Sequence, residues 1–305
     1  MGLFATSLIE LGMMAAKQAK IKLNFLSDKL YFLTLLYLAL PLLIFFLGWL
    51  RIELALPIAI AILFSCYLVL KNFTTDNLFV GNTGTRIKIV LILIVLFVWT
   101  MLSGAGGIFG YQNSDFASHN GRLNDLINYP WPVILASGKA FIYYFAYYLP
   151  GALLGKFIGY PLASIFMLAW TFIGVALVSI WIFRLLRIKP SWVIILIFIF
   201  FSGLDALGYM LTTGEFFLGR GIKGGKDGIE YWARGQEFLG YNSNTFLLFW
   251  SPQHTLGGWL TSVLIFFEVV RLKRAVNIVL IWVLSILWSP FVTIGLLPFV
   301  CYGIV

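Results

Sequence analysis

The sequence predicts an all-α protein, a polytopic transmembrane helical bundle with about seven or eight spans. Of its 305 residues, 61% are hydrophobic and only 11% are charged, whereas a soluble domain carries about 25% charged residues. Apolar runs recur from residue 31 onward, and many are long enough to cross about 30 Å of hydrocarbon. A transmembrane β-barrel would instead show short segments of alternating hydrophobicity. The composition therefore indicates helices that are embedded in the lipid bilayer.

Seven apolar runs are the predicted spans of one transmembrane domain that covers residues 30–305. Only Arg51 and Glu53 bring charge between the first two runs, which predicts a tight helical hairpin there. The last run is interrupted at Ser289-Pro290 and again at Pro298. The runs lie at about residues 30–50, 54–70, 89–103, 160–183, 191–208, 255–270 and 276–305.

Clusters of basic residues predict the orientation of the bundle. They lie before the first span, between the second and third, and after the fourth and sixth. Because Lys and Arg collect on the cytoplasmic side, residues 1–29 are expected to be a cytoplasmic N-terminal segment. The loops at about 104–159 and 209–254 are then extracytoplasmic. The same rule accounts for the net charge of +9, and we expect no nucleic-acid binding because no basic stripe alternates with exposed aromatics.

Residues 141–159 are apolar, but they are not predicted to cross the membrane. The span at 160–183 alone already leads from the extracytoplasmic loop to the next cytoplasmic basic cluster. Residues 141–159 contain four tyrosines in the stretch 143–148, followed by Pro150. This pattern predicts an aromatic helix that lies at the outer membrane interface. The alternative is an ordinary span with tyrosine-rich ends.

A stripe of ionisable residues in the first extracytoplasmic loop is the most informative feature for function. Asp115, His119, Arg122 and Asp125 are spaced four, three and three residues apart, so in a helix they share one face. Charge is costly beside lipid, and such a stripe normally faces a site. The stripe therefore predicts one half of a functional site.

The predicted topology places two further polar groups at the same rim of the membrane, Asp205 and His254. A carboxylate can serve as a general base, and Arg, Lys and His can hold a phosphate. With an apolar surface beneath, these groups suit sugar transfer from a polyprenyl-phosphate carrier. The alternative is that the carboxylates hold a divalent cation.

Each of these residues also has a purely structural interpretation. Either aspartate of the stripe can cap a short helix, and Arg122 can pair with one of them on its own helix. His119 can be a satisfied interface residue, and Asp205 can satisfy a helix end. His254 follows Pro252 at a predicted helix start, where an ordinary first-turn position is the alternative.

The order of features resembles the GT-C superfamily of membrane glycosyltransferases, which use a lipid-linked donor. Residues 113–125 stand where that superfamily has its acidic motif, and residues 141–159 where it has interfacial helices. Residues 112–132 and 251–259 also look like stretches of bacterial membrane proteins of unassigned activity. This chain departs from the superfamily in two respects. Two extra spans precede the acidic loop, and the aspartates of the loop are ten residues apart.

The resemblance implies roles for the six candidate residues and a location in a bacterial plasma membrane. The catalytic candidates are Asp115 as general base and Asp125. Arg122 and His254 would contact the phosphate, Asp205 or Asp125 would orient a cell-envelope acceptor, and His119 joins the substrate-binding set.

Two functions of other classes compete with the glycosyltransferase. A transporter or flippase for a lipid-linked or small anionic substrate would need ionisable residues near the middle of the membrane. The predicted spans carry their charges at the ends. A non-catalytic scaffold would leave the outer polar cluster without a pocket.

Overall fold

A computed structural model describes residues 29–71, 83–107, 112–134, 137–202, 211, 242–273 and 275–304. Within these residues the regular structure is helical, and a bridge between Ile134 and Ala140 is the one β-type pairing. The predicted all-α fold is confirmed. The described helices are α1 (Lys29–Trp49), α2 (Ile52–Lys71), α3 (Thr83–Leu102), α4 (Asp115–Asn128), α5 (Leu149–Ile158), α6 (Tyr160–Leu186), α7 (Trp192–Phe200), α8 (Asn244–Trp250), α9 (Pro252–Phe266), α10 (Ile278–Val283) and α11 (Pro290–Ile304).

Five of these helices are long and apolar enough to cross a membrane, which makes the chain an integral membrane protein. They are α1, α2, α3, α6 and α9, the last continuing as a π-helix over Phe267–Leu272. The described part of the chain thus gives five candidate spans, and the predicted seven or eight are not confirmed. Of the predicted span 191–208, α7 covers nine residues, and residues 203–208 lie outside the described part. Beyond residue 276 the chain forms two shorter helices, α10 and α11.

The prediction of an aromatic interfacial helix over residues 141–159 needs correction. The helix is α5, only ten residues long, and at 1.5 Å per residue its rise of about 15 Å is too short to cross a membrane. It begins at Leu149 because Pro150 favours a first helical turn. The tyrosines therefore precede the helix, and two of them, Tyr147 and Tyr148, are buried in the protein.

Helix α6 lies at the centre of the bundle and packs against α1, α3, α5 and α9. Its aromatic residues meet those of α1. The ring of Trp170 stacks on Tyr37 with 4.0 Å between centroids, and Trp181 donates from Nε1 to Thr34 Oγ1 at 2.7 Å. On the other side of Tyr37 lies Trp288, which follows α10. Buried aromatic area of this kind dominates the packing energy of a core.

The two ends of the bundle differ in chemistry. At one, which we call the basic end, Arg271 donates from Nε to the carbonyl of Leu185 at 2.7 Å, so the last turns of α6 and of the π-helix meet. The start of α1 joins them, because Tyr31 donates to Glu268 Oε1 at 2.7 Å. At the other, the α4 end, Trp49 at the end of α1 packs on Trp131, just after α4.

Glu268 was not singled out from the sequence, yet it is fully buried. Besides the hydroxyl of Tyr31, Asn277 Nδ2 donates to its carboxylate at 3.1 Å. It lies in the π-helical end of a candidate span, close to the basic cluster. Hydrogen bonds to a buried carboxylate offset part of the cost of removing it from water.

We expect Gly174→Val to destabilise the bundle. A Cβ at Gly174 would lie 2.6 Å from Tyr37 Oη and 3.0 Å from Leu256 Cδ2, so α1, α6 and α9 would have to separate. Overpacking of this kind costs about 1–3 kcal/mol. Thermal unfolding of the purified protein in detergent measures it.

The matched control is Gly295→Val on α11, where an added Cβ meets nothing within 4 Å. We expect it to change stability by about 0.5 kcal/mol or less. Equal melting temperatures for the two variants would contradict the packing described around α6.

Candidate functional site

Helix α4 carries the predicted stripe and is held at both ends. Its first residue, Asp115, donates its backbone N–H to Asn113 Oδ1 at 3.0 Å, and an acidic residue in the first turn suits the helix dipole. At the other end Lys156 Nζ donates to the carbonyls of Ile127 and Tyr129 at 3.2 and 2.7 Å. A cation there satisfies carbonyls that the helix leaves free.

The apolar side of α4 packs on α5. Gly155 allows the close approach, because a Cβ at that position would lie 2.5 Å from Ile127 Cδ1. The N-terminal side is tied to α8 by Asn113, whose Nδ2 donates to the carbonyl of Phe249 at 2.7 Å. These contacts fix the face of α4 that bears His119 and Arg122.

His119 joins three segments through its imidazole. Its Nε2 lies 3.1 Å from the carbonyl oxygen of Trp250. A carbonyl only accepts, so Nε2 carries the proton and Nδ1 accepts from the hydroxyl of Tyr148. His119 is 5% exposed and Tyr148 1%. Burial lowers the pKa of His119 and raises that of Tyr148, so both groups are neutral near pH 7.

Arg122 lies one turn further along α4 and is half-buried. Its guanidinium carbon is 3.8 Å from the ring centroid of Tyr143, a cation–π contact, and it interacts electrostatically with the hydroxyl of Tyr148. Among the described residues a salt bridge joins Arg51 Nε to Glu53 Oε2 at 3.4 Å, and none involves Arg122. The suggested ion pair of Arg122 with an aspartate of α4 is therefore not formed, and its charge faces neutral partners.

The first turn of α9 supplies the opposite side of this cluster. Gln253 is 4% exposed, its side chain lies next to the hydroxyl of Tyr143, and its Oε1 has no hydrogen-bond partner. The next residue is His254, whose Nδ1 is hydrogen-bonded to Ser289 Oγ at 2.8 Å. Its ring packs on that of Tyr144. A buried polar atom left without a partner is costly, and this oxygen is free to accept a hydrogen bond from a ligand.

The structure brings together four of the six candidates. His119 and Arg122 both lie close enough to His254 to interact with it electrostatically, and Asp115 interacts likewise with His119. Asp115 is exposed at the edge of the cluster. We name the cluster of Asp115, His119, Arg122, Tyr143, Tyr148, Gln253 and His254 the α4 site.

The other two candidates stand apart from the cluster. Asp125 lies ten residues beyond Asp115 on α4, a rise of about 15 Å, so these two carboxylates are at opposite ends of the helix. Asp205 lies outside the described residues. The catalytic and binding roles of all six residues stay predictions.

The sequence patterns do not single out three residues of the α4 site. They predict Tyr143 and Tyr148 at the membrane interface, although a cluster of tyrosines just before a proline also fits a buried turn. Gln253 precedes the candidate His254, and an amide in the first turn of an apolar helix is itself an unusual polar group.

The described residues include no group of three or more His, Cys, Asp or Glu side chains that could hold a metal ion. The divalent cation considered from the sequence therefore has no ligand cluster in the ranges given above. The chemistry that the α4 site does show is a half-buried guanidinium, two histidines and an unpartnered amide oxygen.

Comparison with known proteins adds no family to this geometry. No family model matches the chain, and no curated protein or solved structure matches it. The likeness to the GT-C superfamily thus stays a proposal that rests on the residues themselves.

The burial of His119 predicts a pH dependence of stability. Because its pKa is lowered in the folded protein, its contribution is fully present above the unfolded value of about 6.5 and is lost as pH falls toward and through the folded pKa. We expect the melting temperature of the wild type to fall between pH 7.5 and pH 5. In His119→Gln that decrease should be smaller, and identical slopes for the two proteins would refute a buried neutral imidazole.

Proposed function

We propose that this protein is a membrane glycosyltransferase that transfers a sugar from a polyprenyl-phosphate donor to a cell-envelope acceptor at the α4 site. The observation that carries the proposal is the convergence of Asp115, Arg122 and His254 at one end of an apolar bundle. Three kinds of group are needed together: a base, a phosphate contact and a surface for a lipid tail. The α4 site supports each of them.

Recognition of the phosphate rests on Arg122. Its guanidinium has no carboxylate partner among the described residues and lies on the ring of Tyr143. Aromatic stacking of this kind orients the planar group while leaving N–H donors for a phosphate. His254, on the facing helix α9, supplies a second contact, and the apolar spans below accept the polyprenyl chain.

The transfer step uses Asp115 as the base. The acceptor hydroxyl oxygen attacks the anomeric carbon of the sugar, and its proton passes to the Asp115 carboxylate. The bond from the sugar to the phosphate oxygen breaks, and its electron pair leaves with the polyprenyl phosphate. The charge on that phosphate is stabilised by Arg122, an electrostatic contribution of the kind that is large in dry sites.

The proposed orientation puts the α4 site on the extracytoplasmic side of a bacterial plasma membrane. The support is that Lys29, Arg184 and Arg271 all belong to helix ends that meet at the basic end. By the positive-inside rule that end is cytoplasmic.

A transporter or flippase has less support. In the five candidate spans each charged residue or histidine lies among the first or last six residues. A transport site is expected near the middle of the membrane. A scaffold role would leave the unpartnered Oε1 of Gln253 without a purpose.

The decisive experiment is a transfer assay in proteoliposomes with a panel of radiolabelled polyprenyl-phosphate sugars and membrane acceptors. We expect Asp115→Asn to lower the rate by about a hundredfold or more, since general base catalysis contributes 10²–10⁴-fold. Its melting temperature should stay near the wild-type value, because Asp115 is exposed.

Glu53→Gln is the matched control. It neutralises another exposed carboxylate near the same end of the bundle, and transfer should continue at the wild-type rate. An unchanged transfer rate in Asp115→Asn would contradict the role of Asp115 as the base. If the wild type transferred none of the sugars, the proposed function itself would be contradicted.

A further inference from the structure

A second site lies away from the α4 end, in a groove between α3 and α6. Four residues of α3 and four of α6 face each other there, each set at positions i, i+3, i+4 and i+7, so that each presents one helix face. The cavity is about 170 Å³ and is lined by Ile89, Ile92, Leu93, Leu96, Ala176, Ser179, Ile180, Phe183 and Pro190.

The wall of the groove is apolar throughout. Its one hydroxyl, on Ser179, donates back to the carbonyl of Val175 at 2.9 Å. From Ile89 to Leu96 the groove runs about 10 Å along α3, at 1.5 Å per residue, which is two thirds of one leaflet of a 30 Å hydrocarbon core. Four of its lining residues, Ile89, Leu93, Ala176 and Ile180, are only half-buried, so the groove is open at the surface of the bundle.

Exposed cations adjoin the lining residues of the groove in the sequence at the basic end. Arg86 and Lys88 precede Ile89 on α3. On the α6 side the helix stops at Arg187 in a left-handed conformation (φ 56°), and the chain turns back so that Lys189 leads into Pro190. None of these four cations makes an ion pair with a residue that the structure describes.

We propose that this groove binds one acyl chain of an acidic phospholipid from the surrounding leaflet. The phosphate of that lipid is held by Arg86, Lys88, Arg187 and Lys189. An apolar slot fits the hydrocarbon of any lipid, but four exposed cations at its mouth select an anionic headgroup. This site is independent of the proposed transferase activity.

Native mass spectrometry of the purified protein with phosphatidylglycerol and phosphatidylcholine tests the site. Each cation near a membrane surface contributes about 1 kcal/mol, or about fivefold in affinity. The double variant Lys88→Gln/Arg187→Gln should therefore bind phosphatidylglycerol roughly thirtyfold more weakly and phosphatidylcholine as before. Lys139→Gln, which neutralises an exposed lysine in the loop after α4, is the control at a distant position and should bind both lipids like the wild type.

Filling the groove tests the acyl chain separately. Ile89 is half-buried at the mouth of the groove, and Ile89→Trp should reduce binding of both lipids. Ala176→Leu is the second variant if the first does not fold. Wild-type lipid binding in a folded groove variant would overturn the chain site. An unchanged preference in the double variant, or an equal loss in Lys139→Gln, would overturn the headgroup site.

Discussion

The imidazole of His119 connects three segments that are distant in sequence, and the arrangement of the α4 end depends on it. One nitrogen donates to the carbonyl of Trp250 and the other accepts from the hydroxyl of Tyr148. Because both bonds need a neutral ring, the burial that lowers the pKa of His119 also preserves them. With α4, α8 and the turn before α5 joined in this way, Arg122 has a fixed position.

The consequence for function is electrostatic. Arg122 is a cation, and burial raises the pKa of the two tyrosines beside it, Tyr143 and Tyr148, so that these partners are neutral near pH 7. A cation that is half-buried at the rim of an apolar bundle attracts an anion more strongly than one in open water. The unpartnered oxygen of Gln253 adds an acceptor on the facing helix for a hydroxyl of the same ligand.

Sequence patterns predicted those features that depend on local spacing or on overall charge. The spacing of the polar stripe predicted that its four residues share a helix, and α4 carries all of them. The positions of the basic clusters predicted that they share one end of the bundle, and the start of α1 meets the ends of α6 and of the π-helix there. Tertiary partners could not be predicted in this way. Nothing in the spacing of Tyr143 and Tyr148 distinguishes a membrane interface from a buried turn, and Gln253 matters only because of what it fails to contact.

The predicted number of spans is not confirmed, because the described residues give five candidate spans. Hydropathy shows that residues 191–208 and 276–305 are apolar, but it does not show whether one helix runs through them. In the structure the second of these ranges is broken near Pro290, which begins a new helix after α10. Proline lacks the N–H that a continuing helix requires.

The most direct test of the account is the affinity of the purified protein for polyprenyl monophosphate, the product shared by every sugar donor of this class. Arg122→Gln should weaken binding by roughly tenfold to a hundredfold, because a hydrogen bond to a charged group contributes about 1.5–3 kcal/mol. Arg51→Gln, which removes a paired arginine near the same end, should bind like the wild type. Equal affinity of the wild type and Arg122→Gln would contradict phosphate recognition at the α4 site.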